Sequence, residues 1–183
     1  GLFYSIEQAI QTYYSESLEG KKIAIQGAGS VGKRLAEYLA CSGADVFISD
    51  IDGSKLSEFK NHNIYCVDDA FSIECDLFSP CAVGAIFTND SINDLKCQII
   101  AGGANNQLLD SSIAENLHEK GIVYIPDILI NSGGVIGLTK DLLKRNDAET
   151  EQALRDIANR VKYLMIQSQE RSISISKVLH SQS

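Results

Sequence analysis

The sequence predicts an α/β fold in which helices cover both faces of a parallel sheet. Candidate strands and helices alternate from residue 23 to residue 125. The strands are continuous apolar runs, not alternating apolar and polar residues, which is typical of strands buried on both faces. Because crossovers between parallel strands are right-handed, these features favour a doubly wound sheet.

Six strands are predicted, each from a short apolar run, at residues 23–25, 45–49, 64–66, 75–78, 97–101 and 122–125. Ser79 and Pro80 are expected to stop the fourth strand, and Pro126 the last, because proline has no backbone N–H. Helices are predicted at residues 3–16, 34–39, 54–61, 89–95 and 111–120, with one helical turn at 70–73. The first helix would carry an apolar face formed by Ile6, Ala9, Ile10 and Tyr13.

The turn after the first strand has a glycine spacing that suits phosphate binding. Residues 27–32 read Gly-Ala-Gly-Ser-Val-Gly, which fits G-x-G-x-x-G between a strand and a helix. Gly27 permits a tight turn, Gly29 lets a pyrophosphate approach the backbone, and Gly32 lets the helix pack closely. The helix N-terminus offers free N–H groups to the phosphates. A Rossmann-like dinucleotide site is therefore predicted, with contacts from Gly27, Gly29, Ser30, Val31 and Gly32; a glycine-rich turn in an unrelated α/β protein is the alternative.

Asp50 closes the second strand, 18 residues after Gly32. An acid at roughly 20 residues from the glycines can accept hydrogen bonds from both ribose hydroxyls. The same carboxylate would repel a 2′-phosphate, and the residues that follow, beginning with Ile51, offer no arginine, although Lys55 could reach one. The sequence therefore predicts NAD as the cofactor in preference to NADP, with Asp50 and Ile51 beside the ribose.

Composition narrows the class of protein. The 183 residues carry a formal net charge of −8, which argues against nucleic acid as a partner. With no apolar run of 18 residues and no signal-peptide pattern, neither a membrane span nor secretion is expected. The cysteines are odd in number and form no C-x-x-C pair, so we expect reduced thiols, no metal site and a cytoplasmic location; they are Cys41, Cys66, Cys75, Cys81 and Cys97.

The pattern changes to helix alone after Gly134. Residues 1–145 are predicted to form the dinucleotide-binding domain with its N-terminal helix, and residues 146–183 a C-terminal helical segment. Apolar residues recur there at helical spacing and would pack on the domain's own sheet, or else dock onto another domain or subunit: Leu154, Ile157, Val161 and Leu164. Residues 172–179 are ambiguous, because Ser-Ile-Ser-Ile alternates like a strand. The chain starts at Gly1 and its only methionine is Met165, so a preceding segment is expected.

Three further loops follow strands and should reach the same sheet edge as the glycine turn. Residues 79–82 offer small side chains against which a flat ring could lie. Residues 102–107 end in three side-chain amides, which suit a carboxamide or a carboxylate, and residues 131–134 contain two glycines. Each loop could equally be a structural turn. None of them contains a general base, and the three histidines are interpreted as solvated: His62, His118 and His180.

Four segments, in this order and spacing, resemble the cofactor domain of the glutamate/leucine/phenylalanine/valine dehydrogenases. They are residues 27–32 with Asp50, residues 74–82, residues 101–108 and residues 124–135. The resemblance runs from Gly1 to about Leu143, is looser beyond, and within the family is greatest to leucine dehydrogenase.

The resemblance implies reversible, NAD-dependent oxidative deamination of an L-amino acid to a 2-oxo acid and ammonia. A hydride would pass from the substrate Cα to nicotinamide C4. The family's cofactor positions beyond the glycine turn and Asp50 match Cys81, Ala82, Ala101, Asn106 and Asn131, and its substrate pocket matches Asn106, Val135 and Leu138. Because glutamate-specific members carry a polar residue where this chain has Leu138, an aliphatic substrate such as leucine, valine or isoleucine is implied.

The resemblance also implies which parts of the active site lie outside this chain. The family's catalytic lysine and aspartate belong to an N-terminal domain that would precede Gly1. The chain alone is therefore expected to bind NAD without turnover, and the full-length protein is expected to form a homo-oligomer. The sequence departs from the family at Ser30, where many members have asparagine, and most of all after Ile166.

Two other interpretations stay open. A non-catalytic regulatory module that binds NAD would share residues 27–32 and Asp50, but gives no reason for the three later motifs. The other is a degenerate homologue whose full-length form has lost catalysis, which only the N-terminal sequence can exclude.

Overall fold

A computed structural model describes residues 1–82, 84, 86–131 and 146–182. Within them, six strands form one sheet in the order β3-β2-β1-β4-β5-β6, and every pair is parallel. The strands are β1 Lys22–Gln26, β2 Asp45–Ser49, β3 Ile64–Cys66, β4 Leu77–Pro80, β5 Ile99–Ile100 and β6 Val123–Tyr124. The predicted doubly wound, Rossmann-like sheet is confirmed.

The sheet reverses its winding between β1 and β4. The chain enters at the central strand β1, moves outward through β2 to β3, and then returns to place β4 on the other side of β1. Gln26 of β1 pairs with Ser49 of β2 and with Pro80 of β4, so three strand ends meet at one edge. Ligands of open parallel sheets bind in the crevice at such a reversal.

Helices flank the sheet on both sides. They are α1 Leu2–Tyr14, α2 Ser30–Cys41, α3 Ile113–Glu119, α4 at residues 127–131, α5 Asp147–Arg171 and α6 Ile175–His180. The 25-residue helix α5 begins with a capping box, in which Asn146 and Glu149 bond each other's backbone N–H. None of the helices among the described residues combines the length and the apolar character that a membrane span requires.

Alternate residues of the strands enter two separate core clusters. Ile23, Leu77 and Ile99 belong to one cluster, which also contains residues of α1, α2, α5 and α6. The neighbouring Phe78 and Ile100 belong to the other, which also contains α3. Strands β1, β4 and β5 are thus buried on both faces, which is why their sequences are apolar without alternation. In the edge strand β3, only Ile64 is buried.

The apolar stripe of α5 packs within the chain. Ile157, Val161 and Leu164 are buried. Val161 and Leu164 share a cluster with Ile6 and Ile10 of α1. Residues 172–179 are not a strand, because α6 covers most of them and the Ser174 hydroxyl caps it by accepting the Lys177 N–H. The predicted domain boundary at residue 145 lies outside the described residues and stays a prediction.

Two of the predicted short helices are 3-10 helices, not α-helices, and are shorter than predicted. Residues 53–58 and 91–93 form 3-10 turns where helices were expected at 54–61 and 89–95, and the turn predicted at 70–73 is a 3-10 turn too. The first has no buried residue, so no apolar face stabilises an α-helix there. In the second, Thr88 and Ser91 each accept the other's backbone N–H through a side-chain hydroxyl, and this competes with helical bonding.

Helix and strand ends differ from the prediction by a few residues. Helix α1 ends at Tyr14, two residues early, and α2 already begins at Ser30. Strand β4 runs through Pro80, so the predicted stop at Ser79 is wrong. Pro80 is tolerated as the last strand residue because the next N–H, that of Cys81, resumes bonding by donating to the Gln26 carbonyl at 2.7 Å.

Candidate functional site

The glycine turn between β1 and α2 is packed too closely for side chains at two of its three glycines. A Cβ at Gly27, which has φ +102°, would lie 2.7 Å from the Ala82 nitrogen. A Cβ at Gly32 would lie 1.9 Å from the Gly27 carbonyl oxygen. A Cβ at Gly29 would meet nothing within 4 Å, so this position is open toward the cleft. The first and last glycines therefore shape the turn, and the middle one leaves space above it.

The N-terminus of α2 adjoins that open space. Gly29 is the N-cap residue and has no side chain with which to cap the helix. The first backbone N–H groups of an α-helix lack partners within the helix, and the helix dipole adds positive charge there. This end of α2 can therefore receive an anion such as a pyrophosphate.

Asp50 stands at the end of β2 with its carboxylate turned toward the glycine turn. Its Oδ2 accepts the Ala28 N–H at 2.7 Å, and its Oδ1 accepts the Asp52 N–H at 2.9 Å. The Lys55 ammonium lies 3.2 Å from Oδ1. The Asp52 N–H, and then the Ala28 N–H and Lys55, lower the pKa of Asp50 against the opposing effect of burial. The carboxylate is thus held ionised at neutral pH.

The opposite wall of the cleft is built where β4 and β5 end. The Ala104 N–H donates to the Pro80 carbonyl at 2.9 Å, and a Cβ at Gly102 would lie 2.2 Å from that same oxygen. Cys81 follows Pro80, and burial raises the pKa of its thiol. A thiol kept protonated is a small apolar wall and not a nucleophile.

The three amides after β5 have different roles. Gln107 is buried, and its Nε2 donates to the carbonyls of Gly102 and Ala104, so it holds its own loop together. Asn105 and Asn106 are exposed. Asn106 has φ +52°, a left-handed conformation that asparagine tolerates better than most residues.

Helix α4 fixes this loop through two side chains. The Asp127 carboxylate accepts the Asn106 N–H at 2.7 Å, and the Asn131 amide donates to the Asn105 side chain at 2.6 Å. Asp127 was not among the predicted site residues, although its place directly after Pro126 and the last strand is where such residues occur. The two bonds hold Asn105 and Asn106 at the mouth of the cleft.

These walls enclose a cleft of about 710 Å³. It is lined by seven of the predicted cofactor residues: Gly27, Gly29, Asp50, Ile51, Cys81, Ala82 and Asn106. Five lining residues were not predicted: Lys55, Gly84, Gly103, Ala104 and Asn105. Among them, Gly103, Ala104 and Asn105 belong to a loop that the sequence did single out, so only the individual positions were missed.

The other predicted residues fall into three groups. Ser30, Val31 and Asn131 line an adjacent hollow of about 520 Å³, which shares Gly103 with the cleft. Gly32 and Ala101 are buried behind the cleft wall. Val135 and Leu138, the predicted substrate-pocket residues, lie outside the described residues.

The cleft suits binding better than proton transfer. Its described lining residues include a carboxylate (Asp50), an ammonium (Lys55) and a neutral thiol (Cys81), but no histidine. His62 and His180 are exposed and His118 is half-buried, all away from the cleft. All five cysteines are free thiols. No cluster of metal-ligating side chains occurs in the parts of the chain that the structure covers.

Comparison with known proteins decides the family. The sequence model of the glutamate/leucine/phenylalanine/valine dehydrogenase family matches residues 1–54 and 48–177. The chain belongs to this family. The predicted resemblance is therefore confirmed.

Relatives within the dehydrogenase family have similar identities but different substrate names. Leucine dehydrogenase of Thermoactinomyces intermedius is 38% identical over 157 residues, covering 84% of this chain and 43% of the relative. Phenylalanine dehydrogenase of Lysinibacillus sphaericus is 40% identical over 155 residues, covering 80% and 41%. The chain thus spans less than half the length of these curated relatives, and the identities do not distinguish between their substrates.

Solved structures of the dehydrogenase family share the fold. L-tryptophan dehydrogenase from Nostoc punctiforme superposes with a TM-score of 0.88 at 30% identity, covering 96% of this chain and 55% of that one. The hetero-hexameric glutamate dehydrogenase from Thermus thermophilus has a TM-score of 0.71 at 16% identity, covering 94% and 48%, a likeness of fold alone.

Proposed function

We propose that this chain is the NAD-binding part of an amino-acid dehydrogenase. The observation that carries the proposal is the position of Asp50: its ionised carboxylate shares one cleft with the glycine turn at the N-terminus of α2. A dinucleotide has a ribose diol, which needs an acceptor, and a pyrophosphate, which needs N–H donors. The cleft offers the two at neighbouring positions.

The orientation of the cofactor follows from this arrangement. The adenosine ribose would donate its hydroxyls to Asp50, and the pyrophosphate would lie over Gly29. The nicotinamide would then reach the far wall, where Cys81, Ala82 and Asn106 line the same cleft. The small, neutral Cys81 and Ala82 leave room for a flat ring, and the Asn106 amide can both donate to and accept from a polar group.

The proposed reaction of the whole protein is the reversible oxidative deamination of an L-amino acid to a 2-oxo acid and ammonia. When bound, NAD would accept the hydride from the substrate Cα. The described cleft residues bind and orient the cofactor but include no evident general base. The lysine and aspartate that the family uses for proton transfer would therefore come from another part of the protein, and the nucleotide domain would act within a homo-oligomer.

The proposed substrate is an aliphatic amino acid, that is leucine, valine or isoleucine. This part of the proposal depends on the sequence positions Val135 and Leu138 and on the apolar character of Leu138. A single methylene in an apolar pocket changes discrimination by only about 1–3 kcal/mol. Assays of the full-length protein with leucine, valine, isoleucine, phenylalanine and tryptophan would rank the candidates.

A regulatory, non-catalytic module fits the site less well. Such a module requires the glycine turn and Asp50, but not an amide loop held against the opposite wall. In this chain, Asp127 and Asn131 each contribute one side-chain bond that fixes that loop. A loop ordered next to the nicotinamide position favours a dehydrogenase.

Calorimetric titration of the chain with NAD tests the proposed site. The variant Asp50→Asn should weaken NAD binding by at least about tenfold, because hydrogen bonds to a charged acceptor contribute about 1.5–3 kcal/mol. Asp94→Asn, which changes an exposed aspartate outside the cleft, should bind NAD like the unchanged chain. If Asp50→Asn binds NAD as tightly as the Asp94→Asn control, Asp50 does not hold the ribose and the proposed site is wrong.

An assay of NAD reduction tests the catalytic part of the proposal. The purified chain should bind NAD and yet give no reduced cofactor with an L-amino acid, whereas the full-length protein should reduce it. Turnover by the chain alone would contradict the assignment of proton transfer to another part of the protein.

A further inference from the structure

Lys55 lies against the carboxylate of Asp50, to which the proposed function assigns the ribose hydroxyls. It belongs to the 3-10 turn Gly53–Glu58, and its ammonium lies 3.2 Å from Asp50 Oδ1 and 3.4 Å from Oδ2. The Asp50 side chain is only 7% exposed, whereas the Lys55 side chain is 44% exposed. Lys55 therefore covers the carboxylate from the solvent side of the cleft.

The ribose diol and Lys55 compete for the same carboxylate oxygens. Each oxygen of Asp50 already accepts one backbone N–H, from Ala28 or Asp52. A carboxylate has about four acceptor positions, and Lys55 lies within hydrogen-bonding distance of both oxygens. For two ribose hydroxyls to donate to Asp50, the Lys55 ammonium must move away or share the carboxylate oxygens with them.

A 2′-phosphate, unlike the ribose diol, would not compete with Lys55. Lys55 would not need to leave, because its ammonium could donate to the phosphate while still offsetting the charge of Asp50. Lys33, on the first turn of α2, is engaged in an ion pair with Glu58, so it does not replace Lys55. Asp52 adds a second negative charge nearby, but its Oδ1 accepts from both the N–H and the hydroxyl of Ser54.

We infer that Lys55 is a cofactor-specificity residue that reduces the preference for NAD over NADP. NADP then binds the same cleft with a dissociation constant within about a hundredfold of that for NAD. The inference rests on the proposed function, since it presumes that a dinucleotide occupies the cleft. It extends the cofactor class to 2′-phosphorylated dinucleotides and assigns the discrimination to the Asp50–Lys55 pair, not to Asp50 alone.

Paired titrations of the chain with NAD and with NADP, in low salt, test the inference. In Lys55→Ala, the ratio of the NADP dissociation constant to the NAD dissociation constant should rise by at least about tenfold, because the phosphate loses its cation while the ribose loses its competitor. Lys55→Arg should keep the ratio of the unchanged chain. Lys60→Ala, which removes an exposed lysine outside the cleft lining, is the matched control and should also leave the ratio unchanged.

The outcomes separate this inference from the proposed function. If NAD binds but NADP does not bind within the stated range, or if Lys55→Ala leaves the ratio unchanged, the inference is overturned and the proposed NAD site stands. If neither dinucleotide binds, both fail together. Thermal unfolding of each variant shows whether it is folded, and a change in the ratio of two ligands at one site is not produced by a loss of stability alone.

Discussion

Gly29 and Gly32 belong to one motif, but the packing of the turn requires glycine only at position 32. At Gly32 a side chain would collide with the Gly27 carbonyl, whereas at Gly29 it would project into open space. Glycine at position 32 serves the packing of α2 on the turn, whereas glycine at position 29 would matter only for the proposed ligand. The sequence predicts both glycines from their spacing, but only the geometry separates their roles.

Alanine substitutions should separate these roles experimentally. Gly32→Ala should lower the melting temperature, because overpacking costs about 1–3 kcal/mol or more when the backbone must shift. Gly29→Ala should leave the melting temperature nearly unchanged and weaken NAD binding, because its methyl group occupies the phosphate approach. Thermal denaturation and NAD titration of both variants check this. A stable Gly32→Ala chain would show that α2 can move away from the turn.

Asp127 illustrates a site residue that sequence reasoning did not find. Its partner is the backbone N–H of Asn106, 21 residues earlier, and no periodicity or spacing rule connects the two. The predicted residues Asp50 and Gly27 were found because their spacing is part of a known motif. Contacts that depend on tertiary packing of α4 against the β5 loop leave no local signal.

Substitution of Asp127 should weaken binding only at the proposed nicotinamide end of the cofactor. In Asp127→Ala, the left-handed Asn106 loses the acceptor of its N–H, so the amide loop should loosen beside the proposed nicotinamide position. NAD affinity should fall by about threefold to tenfold, a loss of about 1 kcal/mol, while ADP affinity stays unchanged. Calorimetry with both ligands measures this, and an equal loss for ADP would contradict a local effect.

At the scale of elements, the strands were easier to predict than the helices between them. All six predicted strands exist, because each contains a short apolar run that is visible in the sequence. The segments at 54–61 and 89–95 resemble short helices in composition, but the 3-10 helix in the first buries no residue and that in the second buries only Ile92. Whether such a segment becomes α-helical depends on burial against the rest of the chain.

Helix α5 shows how far periodicity predicts packing. The stripe of Ile157, Val161 and Leu164 predicts a buried face, and those residues are buried. The stripe does not predict the partner, which includes α1 at the other end of the chain, since Val161 and Leu164 share a cluster with Ile6 and Ile10. Helical periodicity identifies the buried face of a helix but not the element that packs against it.

Two substitutions on α5 should have very different costs. Leu164 is fully buried, whereas Ile166 on the same helix is 37% exposed. Leu164→Ala should lower the free energy of unfolding by about 2–5 kcal/mol, through lost apolar transfer and the cavity that remains. Ile166→Ala should cost less than about 1 kcal/mol. Urea unfolding of both chains measures the difference, and equal costs would show that α5 does not pack on α1 in solution.

At the scale of the whole molecule, folding determines which thiols are available. Cys41 and Cys66 are exposed, whereas Cys75 and Cys97 are buried. Burial raises the pKa of both Cys75 and Cys97 to about 12, so at pH 8 they lack the reactive thiolate form. The fold thus divides five chemically equivalent side chains into separate classes.

The number of thiols that react with an aromatic disulfide reagent should distinguish these classes. At pH 8 the native chain should show two thiols that react rapidly, Cys41 and Cys66, and the chain in denaturant should show five. Cys81, half-buried in the cleft with a raised pKa, should react slowly in the native chain and more slowly still with NAD bound. Rapid reaction of four or five native thiols would mean that the core cluster that contains Cys75 and Cys97 opens readily.

The central position of β1 also has a kinetic consequence. Strand β2 can pair with β1 through a short local connection, but the pairing of β4 with β1 closes a long loop. At the start of these two strands, the Lys22 N–H donates to the Asp76 carboxylate, 54 residues later in the chain. Loop closure costs entropy that local contacts do not, so β4 should dock after the β1-α2-β2 unit has formed. The glycine turn and Asp50 belong to the unit that forms first, whereas the opposite wall of the cleft forms when β4 docks. A dinucleotide that bridges them would slow their separation, so bound cofactor should retard unfolding more than it accelerates refolding.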